Sequence, residues 1–115
     1  AGTPIEAIAD GGQTIALPPG FLGRGDHFAL RVEGDSMVNA GIHNDDLVII
    51  RRCDSAENGE IVVALVDEQE ATLKRLQKKG KSIVLQPEND SYDPQVLPAE
   101  RVRIQGTLVS LLRNY

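Results

Sequence analysis

Apolar residues in this chain recur at every second position far more often than at helical spacing, and that period constrains the fold class. In His27-Phe28-Ala29-Leu30-Arg31-Val32, the residues Phe28, Leu30 and Val32 fall on one face, as in a half-buried strand. Leu47-Val48-Ile49-Ile50 and Ile61-Val62-Val63-Ala64-Leu65-Val66 are short, continuous and rich in β-branched residues, as in strands covered on both faces. Asn58-Gly59 marks a turn before the second run, and Asp67-Glu68-Gln69 marks a hairpin loop after it. That loop leads into Ala71-Thr72-Leu73-Lys74-Arg75-Leu76, and Gly80 separates this strand from Ser82-Ile83-Val84-Leu85. A last strand is expected from Val102 to Leu112, with Gly106 as a bulge or a point of close approach. The pattern predicts a mainly β, compact antiparallel domain.

Only Ser36 to Ala40, ending at Gly41, has the length and terminator of a short helix. Residues 1–25 carry Gly11, Gly12, Pro18, Pro19, Gly20, Gly23 and Gly25, and read as a mobile N-terminal arm and loop. At most one strand is expected there, near Thr14-Ile15-Ala16-Leu17. Residues 26–115 then form the body of a single domain, of a size that buries about 65% of its unfolded surface without metal or disulfide.

The composition excludes several functions. The net charge is −5 and the pI about 4.9, with two Tyr, two Phe and no Trp. Nucleic-acid binding needs clustered cations and stacking aromatics, so this chain is not expected to bind DNA by itself. Lys78-Lys79-Gly80-Lys81 reads as a solvated hairpin tip. A single cysteine, Cys53, rules out an intrachain disulfide and suits a reducing cytosol. Neither a membrane span nor a secretory leader is expected, although a chain that starts without methionine leaves room for an upstream segment. His27 and His43 lack neighbours at metal-ligand spacing, Asp45-Asp46 fits a turn, and no phosphate loop occurs, so no cofactor is expected. Arg51 and Arg52 flank Cys53 without a partner that marks it as a nucleophile.

The chemistry centres on Ser36, in Gly34-Asp35-Ser36-Met37, and on Lys74. Taken alone, Ser36 is most simply the N-cap of the short helix, and Lys74 a solvated strand lysine. Thr72, Lys74 and Leu76 share one side of their strand, while Ala71, Leu73 and Arg75 share the other, so each face carries one cation. Arginine keeps its charge in a protein, whereas burial lowers a lysine pKa. A neutral lysine amine can take the proton of a serine hydroxyl, so the pair can cleave an amide bond without histidine. Ala1-Gly2 is a small, easily extended dipeptide that such a narrow site can accept.

Gly34-Asp35-Ser36-Met37 with Gly41-Ile42, Thr72-Leu73-Lys74-Arg75-Leu76 and Gln86-Pro87-Glu88-Asn89 resemble the self-cleaving LexA/UmuD/phage-repressor family of Ser-Lys peptidases. Signal peptidases are its distant relatives. The resemblance runs over nearly the whole chain, including Ala1-Gly2 and the ending from Ile104-Gln105-Gly106 to Arg113-Asn114. It implies Ser36 as nucleophile, Lys74 as general base and Ala1–Gly2 as the scissile bond. It further implies a bacterial cytoplasmic repressor of the SOS DNA-damage response, with a RecA–single-stranded DNA–ATP filament as co-protease. DNA would be bound through an N-terminal winged-helix domain that these residues do not include. A subunit of an error-prone polymerase of the UmuD kind and a phage repressor remain alternatives within the family. A peptidase acting in trans or an inert dimerisation module are the alternatives outside that reading.

Around Leu108 to Leu112 both alternating faces become apolar, with Leu108 and Leu112 on one side and Val109 and Leu111 on the other. A strand apolar on both faces must be covered twice, so Val109 and Leu111 are expected to meet a second copy of the chain. The family resemblance likewise implies a homodimer.

Overall fold

The computed structural model describes the backbone of residues 3–7 and 13–17 and all of residues 22–113. Among the described residues nine strands form one sheet: β1 (Thr3–Ala7), β2 (Gln13–Leu17), β3 (His27–Arg31), β4 (Leu47–Arg52), β5 (Ile61–Val66), β6 (Glu70–Lys79), β7 (Ser82–Gln86), β8 (Gln95–Pro98) and β9 (Val102–Leu112). Their order is β2-β1-β3-β4-β9-β5-β6-β7-β8, and every neighbouring pair is antiparallel except β1 with β3. The β class read from the period of the sequence is therefore the observed one. Among the described residues, no helix is long and apolar enough to cross a membrane.

The two apolar runs are covered on both faces, as their composition requires. Val48 and Ile50 enter one cluster with Phe28, Met37, Ile42 and Val63, while Ile49 faces another with Leu17 and Ala29. On β5, Val62 and Ala64 face a third cluster with Leu76, Leu85, Leu97 and Ile104, and Val63 turns to the Phe28 cluster. Phe28, Leu30 and Val32 share the face expected of them. Ala29 is also buried, so β3 is covered on both sides, which alternation alone does not reveal.

Three local expectations are corrected. The N-terminal segment contains two strands rather than at most one, because β1 and β2 pair from Thr3↔Leu17 to Ala7↔Gln13. Pro4 hides the first strand in the sequence, since proline removes a ladder donor, yet only Glu6 and Ala7 of β1 pair with β3. Of the seven residues on which the arm reading rests, Gly11, Gly12, Pro18, Pro19 and Gly20 lie outside the described residues. Second, the expected helix is a single 3₁₀ turn, Val38–Ala40, whose N-cap is Met37 without a side-chain cap bond. Ser36 is therefore not an N-cap. Gly41 does end the turn, at φ +81°, a conformation that suits glycine.

The third correction concerns β9. Opposite β4, Ser110 pairs with Ile49 and Leu108 with Ile50, so Val109 is an extra residue in a bulge. Leu111 consequently lies over Val48 and packs with Leu108 on the Phe28 cluster, while Leu112 packs on the Ala29 cluster. Val109 and Leu111 do not share a face. Val109 alone is well exposed, at 46%.

Gly106 is a point of close approach. A Cβ there would sit 2.4 Å from Ile50 Cγ2 and 2.5 Å from the Arg51 carbonyl oxygen. Backbone cannot yield as a flexible side chain can, so any larger residue must separate β9 from β4. Gly106→Ala is expected to destabilise the fold by about 1–3 kcal/mol, read as a lower urea midpoint with the same m-value. An unchanged midpoint would show that the two strands are not so closely apposed.

Candidate functional site

Ser36 sits in the turn between β3 and the 3₁₀ turn, and its neighbour Met37 anchors it. Met37 is 2% exposed and fills the Phe28 cluster together with Ile42 and Leu73. A loop after β7 holds the turn from the other side. Glu88 N donates to Ser36 O at 2.8 Å, and Asn39 N donates to Glu88 O at 2.8 Å. Asn89 Nδ2 donates to Asp35 O at 2.9 Å, and Tyr92 Oη donates to Asp35 Oδ1 at 2.6 Å. The Gln86-Pro87-Glu88-Asn89 segment thus gives the serine turn its backbone partners. Among the described residues, the amide groups of Asp35, Ser36 and Met37 donate no hydrogen bond.

Lys74 lies on β6 opposite Val62 of β5, on the same face as Thr72 and Leu76. It is half-buried, and that burial lowers its amine pKa from the ordinary lysine value; the Glu70 carboxylate acts in the opposite direction. Lys74 Nζ donates to Thr72 Oγ1 at 2.7 Å and to Leu73 O at 3.2 Å. Arg75 points to the other side. Its Nε donates to Glu88 Oε1 and its Nη1 to Gly59 O, so it remains charged and partnered.

A cleft of about 410 Å³ brings these elements together, lined by Ser36 and Met37, by Val32 and Glu33, and by Thr72 and Leu73. Ser36 and the threonine that binds Lys74 Nζ therefore border the same space. Ser36 Oγ has no hydrogen-bond partner among the described residues, and the Lys74 amine bonds to Thr72 in place of Ser36. Thr72 went unrecognised in the sequence, although its position two residues before Lys74 on one strand face marks it. Ala1 and Gly2 lie outside the described residues.

A charged pair joins the residue before β4 to the residue after β9, and Arg113 Nη2 also donates to the carbonyl of Gly41, which ends the 3₁₀ turn, at 2.8 Å. Arg113, just past β9, donates from Nε to Asp46 Oδ1 and from Nη2 to Asp46 Oδ2, both at 2.7 Å. His43 N adds a third donor at 2.7 Å, and the guanidinium beside Asp46 holds its carboxyl below the usual range. Asp46 is 1% exposed, so this carboxylate is satisfied rather than available. Asp45-Asp46 is structural, as the turn reading expects. Lys78, Lys79 and Lys81 are exposed around Gly80, at the hairpin tip expected of them.

The lowered lysine pKa carries a consequence for stability. Between the folded pKa and the ordinary value near 10.4, the unfolded chain binds more protons than the folded one, so stability rises with pH across that interval. Lys74→Met removes the half-buried charge. It is expected to raise the urea midpoint at pH 7 and to flatten the rise toward pH 10. A lower midpoint at pH 7 would show that Lys74 contributes net stability as an ammonium.

The family model described as Peptidase S24-like matches residues 1–109. The chain is 57% identical over 115 residues to the LexA repressor of Paramagnetospirillum magneticum, covering all of this chain and 49% of that protein. It is 57% identical to the LexA repressor of Gluconacetobacter diazotrophicus and 56% identical to that of Rhodospirillum rubrum, covering 46% of each. The chain thus spans about half the length of these relatives, and it belongs to the Peptidase S24-like family.

Proposed function

We propose that the chain is the self-cleavage and dimerisation portion of a LexA-type transcriptional repressor, a serine peptidase acting on its own Ala1–Gly2 bond. The observation that carries this reading is a half-buried lysine with a lowered pKa whose hydrogen-bond partner shares a cleft with a serine hydroxyl that has no partner among the described residues. Ser36 Oγ attacks the Ala1 carbonyl carbon, and its proton passes to the neutral Lys74 amine. Unpaired amide groups of the Asp35–Met37 turn stabilise the oxyanion. The C–N bond breaks as the Gly2 amine takes the proton from Lys74, and water then releases Ala1 from Ser36. Thr72 orients the lysine through its hydroxyl.

In this reading residues 1–25 supply the cleavable segment and residues 26–115 the catalytic body. Docking of that segment in the cleft removes further water from Lys74, so the rate follows the docked population. A RecA–single-stranded DNA–ATP filament promotes cleavage by selecting the docked state, which relieves repression of SOS genes in the bacterial cytoplasm. DNA is bound through a separate N-terminal domain, as the length of the LexA relatives permits. Homodimerisation uses the end of β9. The β5–β9 ladder stops at Val62↔Thr107, while β9 runs on to Leu112 with β4 on its other side. From Leu108 onward that edge has no ladder partner among the described residues, beside exposed Val109.

Two measurements test this function. In a chain extended upstream of Ala1, self-cleavage is expected to accelerate as pH rises, and Ser36→Ala or Lys74→Ala should each reduce it at least about 1,000-fold while the fold persists. A rate flat from neutral to alkaline pH, or cleavage retained in Lys74→Ala, would remove lysine as the base. Sedimentation is expected to show a dimer that Val109→Asp weakens at least about tenfold, corresponding to 1.4 kcal/mol. A monomer at high micromolar concentration would refute the β9 interface.

A further inference from the structure

One ion pair joins the two halves of the candidate site. Arg75 is the residue after Lys74 on β6, and its Nε binds the Glu88 side chain. The backbone of the same Glu88 bonds both ends of the serine turn, through Glu88 N to Ser36 O and Asn39 N to Glu88 O, each at 2.8 Å. Arg75 Nη1 also reaches Gly59 O, in the turn before β5, and Gly59 N returns a 2.8 Å bond to Leu76 O. The chain of contacts therefore runs from the lysine's strand to the serine's turn through a single residue. By contrast, the Ser36 and Lys74 side chains make no direct hydrogen bond that would fix their separation.

We infer that Arg75 and Glu88 are positioning residues that set the distance between Ser36 and Lys74. This rests on the Ser-Lys reading above. Their side chains are 33% and 26% exposed, so the pair is partly solvated and adds little to global stability. Its effect falls on geometry instead. A misplacement of about 1 Å between reacting groups can cost roughly 100-fold in rate, whereas the fold tolerates it. Neither residue contacts the serine hydroxyl or the lysine amine. Loss of the pair should therefore lower the rate without changing the lysine pKa, whose causes are burial and Glu70.

The test follows self-cleavage against pH in the chain extended upstream of Ala1, comparing Arg75→Met, Glu88→Ala and the double variant. Each single variant is expected to lower the alkaline plateau by about 10- to 100-fold, with the pH midpoint and the thermal unfolding midpoint unchanged. The double variant should be no slower than the slower single variant, because both remove one contact. A plateau equal to that of the parent chain, multiplying losses, a moved pH midpoint, or losses that track unfolding would each overturn the inference. Lys74→Ala is the separate control. If it cleaves normally, the Ser-Lys reading falls, whereas a dead Lys74→Ala beside unaffected Arg75 and Glu88 variants sinks only the positioning role.

Discussion

The approach of β9 to β4 at Gly106 is the constraint on which the rest of the molecule depends. β9 is the strand that pairs with both β4 and β5, and so joins the two halves of the sheet. A bulge at Gln105 lies opposite Val63 and Ala64, and a second at Val109 lies opposite Ile49 and Ile50. Simple alternation would place Ile104 and Leu108 on one face. The first bulge sends Ile104 to the cluster of Leu76 and Leu85, and Leu108 to that of Phe28 and Met37. Without a side chain at Gly106, the two strands approach closely enough for these separate cores to share one backbone.

The candidate site lies where those cores meet. β5 and β6 present Leu73 to the Phe28 cluster and Leu76 to the other, leaving Lys74 between them on the Leu76 face. Met37 seals the Phe28 cluster and so fixes Ser36 at its rim. The two cations of β6 then divide by chemistry. Arg75 keeps its charge among oxygen acceptors, and Lys74 accepts a lowered pKa in a half-buried position. The Asp46–Arg113 pair sits beside the serine turn, where Arg113 Nη2 also binds Gly41 O, and a carboxylate at 1% exposure needs the three donors it receives.

Polar contacts also hold turns whose residues are poor choices for their backbone. Asp67 and Glu68 both take positive φ, at 54° and 58°, in the hairpin between β5 and β6. Asn-Gly would fit such a turn with less strain. Here Asp67 pairs with Arg101 at 2.6 Å and Glu68 with Arg103 at 2.6 Å, while Asp67 N donates to Arg101 O. The turn is held by Arg101, just before β9, and by Arg103 on β9 rather than by its own preferences.

Much of this was written in the chain itself. The two-residue period, the β-branched runs, the turn glycines Gly59 and Gly80, and the special place of Gly106 follow from side-chain direction and steric size, which are local properties. The choice of lysine over arginine as the cation that adapts to burial also follows from the residues alone. Tertiary structure decided the rest. Which side of β9 faces outward depended on a bulge at Val109, and bulges arise from pairing with another strand. The partner of Lys74 depended on which face of β6 was covered, and the backbone partner of Ser36 came from Glu88, in a loop distant in the chain. Hydrogen-bond partners at that separation are set by packing, and a one-dimensional pattern records side-chain period but not which segments meet.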